Sequence, residues 1–327
     1  MDLANETRFA ARMLRYQPNE DADVQATLIV KATFERDEGG RWRPSAEQVS
    51  IVDAQLETPF GVFHTDCFVR KEGVDICVLG TIRPSRPSRT VQLRLTAGSY
   101  SNALTVFGDR KWVRSGRRLL PSPPEPFEEM PLAYARAYGG VTVHDYETAT
   151  WPDNPIGQGY YLSSEAAEGQ PLPNIEPAEG PQIRQWNDQP QVAGWGPYPC
   201  FWGMRAREGI ELPEKPEAGA VGRIKARLNN QAHSSLIVQS LSDDAEIRLR
   251  GLQPQELVFT LPRFSPEAEV HLGDQTFQAT GALDGVFLWT NSDRITLTRR
   301  IHFTYPYTKG QPRHTRLVDT LETTKGA

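Results

Sequence analysis

The chain has 327 residues, 38 % of them apolar, with a formal net charge of −5; at roughly 150 residues per domain this is one large domain or two lobes, either able to bury a core unaided. Its 26 glycines and 26 prolines are costly inside helices and strands, which excludes a helix bundle, a coiled coil and a long disordered chain and points to short elements joined by many turns. The mildly acidic whole gives no general reason to bind nucleic acid or membrane, and the longest apolar runs, such as Ile76 to Leu79, stop at four residues, too short to span a bilayer.

The spacing of residues 6–16 predicts a short N-terminal helix from Glu6 to Tyr16. Asp2, Glu6, Glu20, Asp21 and Asp23 surround it with no apolar stretch, which argues against a signal peptide. Residues 22–34 then give the cleanest periodicity. Val24, Ala26, Leu28, Val30, Ala32 and Phe34 alternate with polar residues, Ile29 excepted, which predicts a strand with one buried face. Val74 to Ile82 and Val91 to Leu95 repeat the pattern. Thr105 to Phe107 and Lys111 to Val113 flank Gly108-Asp109, which predicts a hairpin. A second helix is predicted over Met130 to Tyr138, with Pro131 in its first turn and Gly139-Gly140 after its end. Further strands are predicted at Leu257–Leu261, Val286–Leu288 and Ile295–Tyr305, the last two joined by a turn at Asn291-Ser292-Asp293. The expected class is all-β, with β-sandwich or barrel-like lobes, minor short helices and a long irregular Pro/Gly-rich middle.

That middle, residues 121–216, holds 16 of the 26 prolines and four tryptophans, Trp151, Trp186, Trp195 and Trp202. A disordered linker is poor in aromatics, so three parts are expected: an N-terminal β lobe over 1–120, an irregular belt over 121–216 and a C-terminal β lobe over 217–327. Charge is segregated as well. Residues 83–118 carry nine Lys and Arg against one acid, Asp109, whereas residues 120–217 carry 15 acids against five bases. In Arg83-Pro84-Ser85-Arg86-Pro87-Ser88-Arg89 the prolines favour polyproline II, whose repeat of about three residues would align Arg83, Arg86 and Arg89 on one side.

Catalytic and metal-binding signatures are missing. The sequence holds no G-x-S-x-G, H-E-x-x-H, C-x-x-C, EF-hand or phosphate-loop pattern. His64 with Asp66 and His144 beside Asp145 are the tight His/Asp pairings, and neighbours on a strand point to opposite faces. Asp21-Ala22-Asp23 reads as a solvated acid pair. Cys67, Cys77 and Cys200 are odd in number and without close spacing, which fits a reducing compartment. No cofactor and no enzymatic activity is expected, and the expected location is the cytoplasm.

The most suggestive feature is aromatic. Tyr160, Tyr161, Trp186, Trp195, Tyr198, Phe201 and Trp202 lie among turn residues. Their composition is that of protein-binding hot spots, and equally of a second core under the loops. Sugar sites use the same residue types, which keeps a carbohydrate-binding or glycoside-cleaving β protein as the alternative. A third alternative, nucleic-acid binding through 83–118, is opposed by the acidic excess beside that stretch.

Several stretches in order are Asn19-Glu20-Asp21-Ala22-Asp23 leading into Ile29 to Phe34; Gly108 to Trp112; Pro126 to Leu132 with Ala137 to Gly140; Asn154 to Tyr160; Leu172 to Glu176; and Ala193 to Pro197. In order and spacing, this set resembles the bacterial family called domain of unknown function two-one-six-nine. The resemblance runs from about 19 to 199 and resumes at 247–303. Trp202-Gly203-Met204-Arg205 keeps the usual Trp-x-x-Arg, while 205–240 departs apart from Asn229 to Gln231. The resemblance implies an effector adaptor or chaperone of type VI secretion. Its expected partners are a secreted effector or PAAR-like protein and the VgrG spike, with no nucleic acid, no membrane and no catalytic residue. Arg110 and Arg136 are candidates to brace Glu128 or Glu129.

Overall fold

A computed structural model describes residues 1–144, 146–212, 222–308 and 310–319. Asp145, expected beside His144, lies outside the described residues, as does 213–221, which contains the expected boundary between belt and C-terminal lobe. Strand makes up 48 % of the fold and helix 7 %, in a nearly closed barrel-like sheet with minor helices, so the all-β class holds.

The principal strands are β1 (Asp2–Asn5), β2 (Ala10–Tyr16), β3 (Val24–Arg36), β4 (Val74–Leu79), β5 (Thr90–Ala97), β6 (Tyr100–Phe107), β7 (Ile175–Pro177), β8 (Glu246–Arg250), β9 (Leu257–Thr260), β10 (Pro266–Leu272), β11 (Gln275–Trp289), β12 (Arg294–Tyr305) and β13 (Arg313–Asp319). The large sheet runs β1-β13-β10-β11-β12-β3-β2, with β4 parallel to β11 off this path. A second sheet runs β7-β6-β5-β8-β9. β3 lies between β2 and β12, and β5 between β6 and β8, so residues 1–120 and 217–327 contribute strands to both sheets. The outer segments therefore build one shared core and not two separate lobes. Leu93, Val106 and Ile247 of the small sheet and Leu28, Ile76, Val286 and Leu297 of the large one belong to the same buried cluster.

The alternation in residues 22–34 does form a long strand, but both faces of β3 are buried. The segment between Ser45 and Phe68 covers the second face: Gln48 hydrogen-bonds the Thr33 amide and carbonyl, and Asp66 pairs with Lys31 at 2.8 Å. The helix expected over Glu6 to Tyr16 is instead strand β2, whose register pairs Ala10 with Lys31 and Tyr16 with Gln25. The exposed ladder of β3 outweighs local propensity there. The helix expected over Met130 to Tyr138 shrinks to one 3-10 turn, Tyr134–Arg136. Met130 and Pro131 pair with Ile82 and Thr81, and the Leu132 amide bonds the Gly80 carbonyl, which diverts the hydrogen bonds a helix needs. The hairpin expected at Gly108-Asp109 is also absent. β6 pairs with β5 and β7, whereas Trp112–Ser115 pairs with Arg118–Pro121. Gly108 serves close approach: a Cβ there would lie 1.8 Å from the Glu125 carbonyl oxygen.

The belt is ordered by its own polar side chains. Asn154 donates to the carbonyls of Tyr134 and Tyr138 at 2.8 and 3.0 Å. Gln158 donates to the Leu172 carbonyl and to Asn174 Oδ1, both at 2.9 Å, and Asn174 donates to the Phe107 carbonyl at 3.1 Å. Gly140, at φ +101°, passes so close to Gly157 that a Cβ would sit 2.3 Å from its carbonyl oxygen. These turns tie the irregular middle to β6 and leave little backbone unpaired.

Candidate protein-binding surface

The aromatic residues singled out in the sequence divide into three groups. Trp195, Tyr198 and Trp202 are buried in the main core, which removes them from any binding surface. Trp195 donates from Nε1 to Asn102 at 2.8 Å, while its carbonyl accepts the Val78 amide at 2.7 Å. Tyr198 packs edge-on against Tyr134, Trp202 and His233, with ring centroids 5.4, 5.0 and 5.1 Å away. Tyr160, Tyr161 and Trp186 are half-buried over a satellite cluster that contains Trp112, Leu119, Tyr138 and Leu172. Phe201 is 65 % exposed, resting edge-on against His64. Tryptophans on loops motivated the carbohydrate alternative, and Trp195 and Trp202 withdraw from that role.

Arg83, Arg86 and Arg89 are exposed but do not act together. Arg83 reaches Asn291 at 3.3 Å and Glu129 at 3.5 Å, and Arg89 donates to the Pro124 carbonyl at 2.5 Å. The bracing expected of Arg110 and Arg136 takes other partners. Arg110 is buried against Glu176 at 2.5 Å, and Arg136 meets Asp109 at 3.4 Å. Both acids are brought in by the belt or by the turn that precedes Arg110, not by the 126–132 stretch.

A buried polar network links segment 66–75 to segment 230–232. Asp75 accepts from Lys71 at 2.8 Å, from Asn230 Nδ2 at 2.9 Å and from the amides of Gln231 and Ala232 at 3.0 and 3.2 Å. Asp66 accepts from Lys31 and from Gln231 Nε2. Burial pushes both carboxyls up, but the lysine and hydrogen bonds at each outweigh it and leave both below the ordinary carboxylate value. Arg205, the arginine of Trp-x-x-Arg, is buried and donates to the carbonyls of Arg227 and Ala232. The Asn229–Gln231 stretch is thus an interior anchor.

The same region titrates. Burial, aided by Arg205, lowers His233 from 6.5 to about 4. The unfolded chain therefore takes up the proton first, and His233 contributes stability above pH 6.5 that is lost as pH falls toward 4. The loss amounts to about 3 kcal/mol. His64 and His302, also lowered by burial, act in the same direction. Asp66 and Asp75 follow only below 3.8, as pH falls through their depressed values. Denaturant unfolding at pH 7 and pH 5 should show a clear loss in the native chain and a smaller one in His233→Gln. Equal losses in both would contradict this assignment.

Among the described residues no group of three or more His, Cys, Asp or Glu is placed to hold a metal ion. A surface groove of about 580 Å³ presents two carboxylates, Asp243 and Asp284. Each is paired with an arginine, Arg299 and Arg300 respectively. Asp284 sits at the β-bulge of β11 and also accepts from Thr298 at 2.5 Å.

Two surfaces remain open. The hairpin Val141–His144 with Glu147–Thr150 exposes Val141 by 57 % and Val143 by 66 %, with Tyr146 fully exposed at its tip. It projects from the tight Gly139-Gly140 crossing and runs alongside the short helix α1 (Ser164–Ala167). On α1 also lies Ser164, one wall of a groove of about 550 Å³ that is lined by Arg114, Arg117, Arg118, Arg184 and Trp186. The apolar hairpin and the arginine groove thus flank one helix. The basic excess of 83–118 is legible in the sequence. The hairpin is signalled only by the short alternation Val141-Thr142-Val143, and nothing in the sequence joins Arg184 to Arg117.

The candidate surface is therefore formed by two hairpins and a helix, with Trp186 in the groove wall, Trp195, Tyr198 and Trp202 in the main core and Phe201 exposed against His64. No helix among the described residues is long and apolar enough to cross a membrane. No curated protein and no solved structure matches the chain. A family model described as "Uncharacterized protein conserved in bacteria (DUF2169)" matches residues 21–300, and the chain belongs to that family.

Proposed function

We propose that this chain is a non-enzymatic adaptor of a bacterial type VI secretion system. It binds a secreted effector, or the effector's PAAR-like tip domain, in the cytoplasm and delivers it to the VgrG spike. The observation that carries the reading is the projecting hairpin, with Val141, Val143 and Tyr146 in solvent beside an arginine-lined groove. Apolar side chains held out on a short strand pair suit a partner that completes the hydrophobic surface or adds a strand. Charged groups beside them orient the encounter.

Co-expression with the effector, tip and spike proteins encoded beside the chain tests this. One of them should co-purify at moderate salt and gain soluble yield. Val143→Asp, at an exposed position, should leave folding intact and weaken capture by about tenfold, the share of a single interface anchor. Failure to capture any neighbouring protein, or undiminished capture by the variant, would contradict the reading.

A further inference from the structure

We propose that the groove at the tip of the Trp112–Ser115/Arg118–Pro121 hairpin binds a short acidic peptide segment of the cargo that also carries an apolar side chain. This deepens the adaptor reading and rests on it for the identity of the partner.

Four arginines converge on the groove: Arg114, Arg117, Arg118 and Arg184. Among the described residues Arg114 alone of the four has an ion pair, with Glu168 at 2.6 Å. Arg117 and Arg118 follow Gly116, whose φ of +61° turns the hairpin. They are exposed, as is Arg184, and among the described residues no ion pair ties any of the three to another element. Glu168 is taken up by Arg114, and the like charges of Arg117, Arg118 and Arg184 repel one another, so their convergence gives the fold little by itself. It gives a ligand a great deal, because guanidinium groups present forked donors matched to carboxylates. The groove is not purely polar. Leu119 closes its floor, Leu120 is 43 % exposed at its edge, and the half-buried Trp186 offers an indole face.

An acidic peptide suits this lining better than a nucleic acid. Glu165 and Glu168, at and just after α1, border the groove on that side. A phosphate backbone threading the groove would meet those carboxylates along its length, whereas a short peptide segment places its own carboxylates only at the guanidinium groups. Because α1 separates this groove from the apolar hairpin, one partner could occupy both.

The test uses the full chain and fluorescence anisotropy with three labelled probes: a short peptide of Asp, Glu and Leu, its Asn/Gln counterpart, and a single-stranded DNA oligonucleotide of equal charge. The acidic peptide should bind, more weakly as salt rises, and should outcompete the oligonucleotide. The double variant Arg117→Glu/Arg118→Glu should weaken it by about tenfold or more, and Trp186→Ala by several-fold, with unchanged thermal melting in the charge variant. Equal binding of the neutral peptide, indifference to the charge reversal, or tighter binding of the oligonucleotide would overturn the proposal. The two readings separate cleanly. Cargo capture without peptide binding overturns the groove alone, and peptide binding that persists when no cargo is captured supports the groove while contradicting the adaptor.

Discussion

Asp75→Ala should lower the unfolding free energy by about 3–5 kcal/mol, because it strands a buried positive charge. The Asp75 carboxylate is fully buried, and the side chain of Lys71 is 1 % exposed. Removing the acid also leaves the amides of Gln231 and Ala232 without their acceptor and takes one of two acceptors from Asn230 Nδ2, which keeps the Glu72 carbonyl. Those groups belong to a segment some 155 residues away in sequence, so the loss falls on a contact that ties two distant segments together. Adding Lys71→Met removes the stranded charge and should recover part of the loss. Urea unfolding of the native chain, the single variant and the double variant measures this directly. A loss under about 1 kcal/mol, or no recovery in the double variant, would mean that the network is not the anchor described.

Trp195→Ala should also cost about 3–5 kcal/mol, as expected for a large aromatic removed from a packed core. Its indole is fully buried, and its removal takes the Nε1 donor from Asn102 Oδ1. Phe201→Ala, at an exposed position, should change stability by no more than about 0.5 kcal/mol. The pair separates two roles that one composition suggests alike. If Trp195→Ala left stability intact but abolished cargo capture, the indole would have to be a contact residue, against its position in the core.

The contrast shows which parts of the architecture were legible beforehand. Period-two alternation in residues 24–34 and 295–305 announces β3 and β12 because a strand facing a core must alternate. It does not announce the second cover on β3, which depends on Gln48 and Asp66 arriving from another segment. Short apolar spacings such as Phe9, Met13 and Tyr16 satisfy a helix and an edge strand equally, and the neighbouring ladder decides between them. Turn residues in the belt were visible as Gly and Pro. Their purpose, a crossing of 137–140 over 154–159, is set by contacts between backbones. The charge of 110–118 was readable, but Arg110 finds Glu176 inside while Arg117 and Arg118 stay outside. Only the packing of Trp112 and Leu119 beneath the hairpin separates those fates.

On the adaptor proposal, cargo is held on the two hairpins and not on the buried aromatic belt. Hydrogen–deuterium exchange on the chain alone and in complex with its co-purified cargo tests it most directly. Cargo should slow exchange in segments 112–120 and 141–150 and leave 193–202 unchanged, since that stretch is already enclosed. Protection confined to 193–202, or to the groove between Asp243 and Asp284, with both hairpins unaffected, would contradict it.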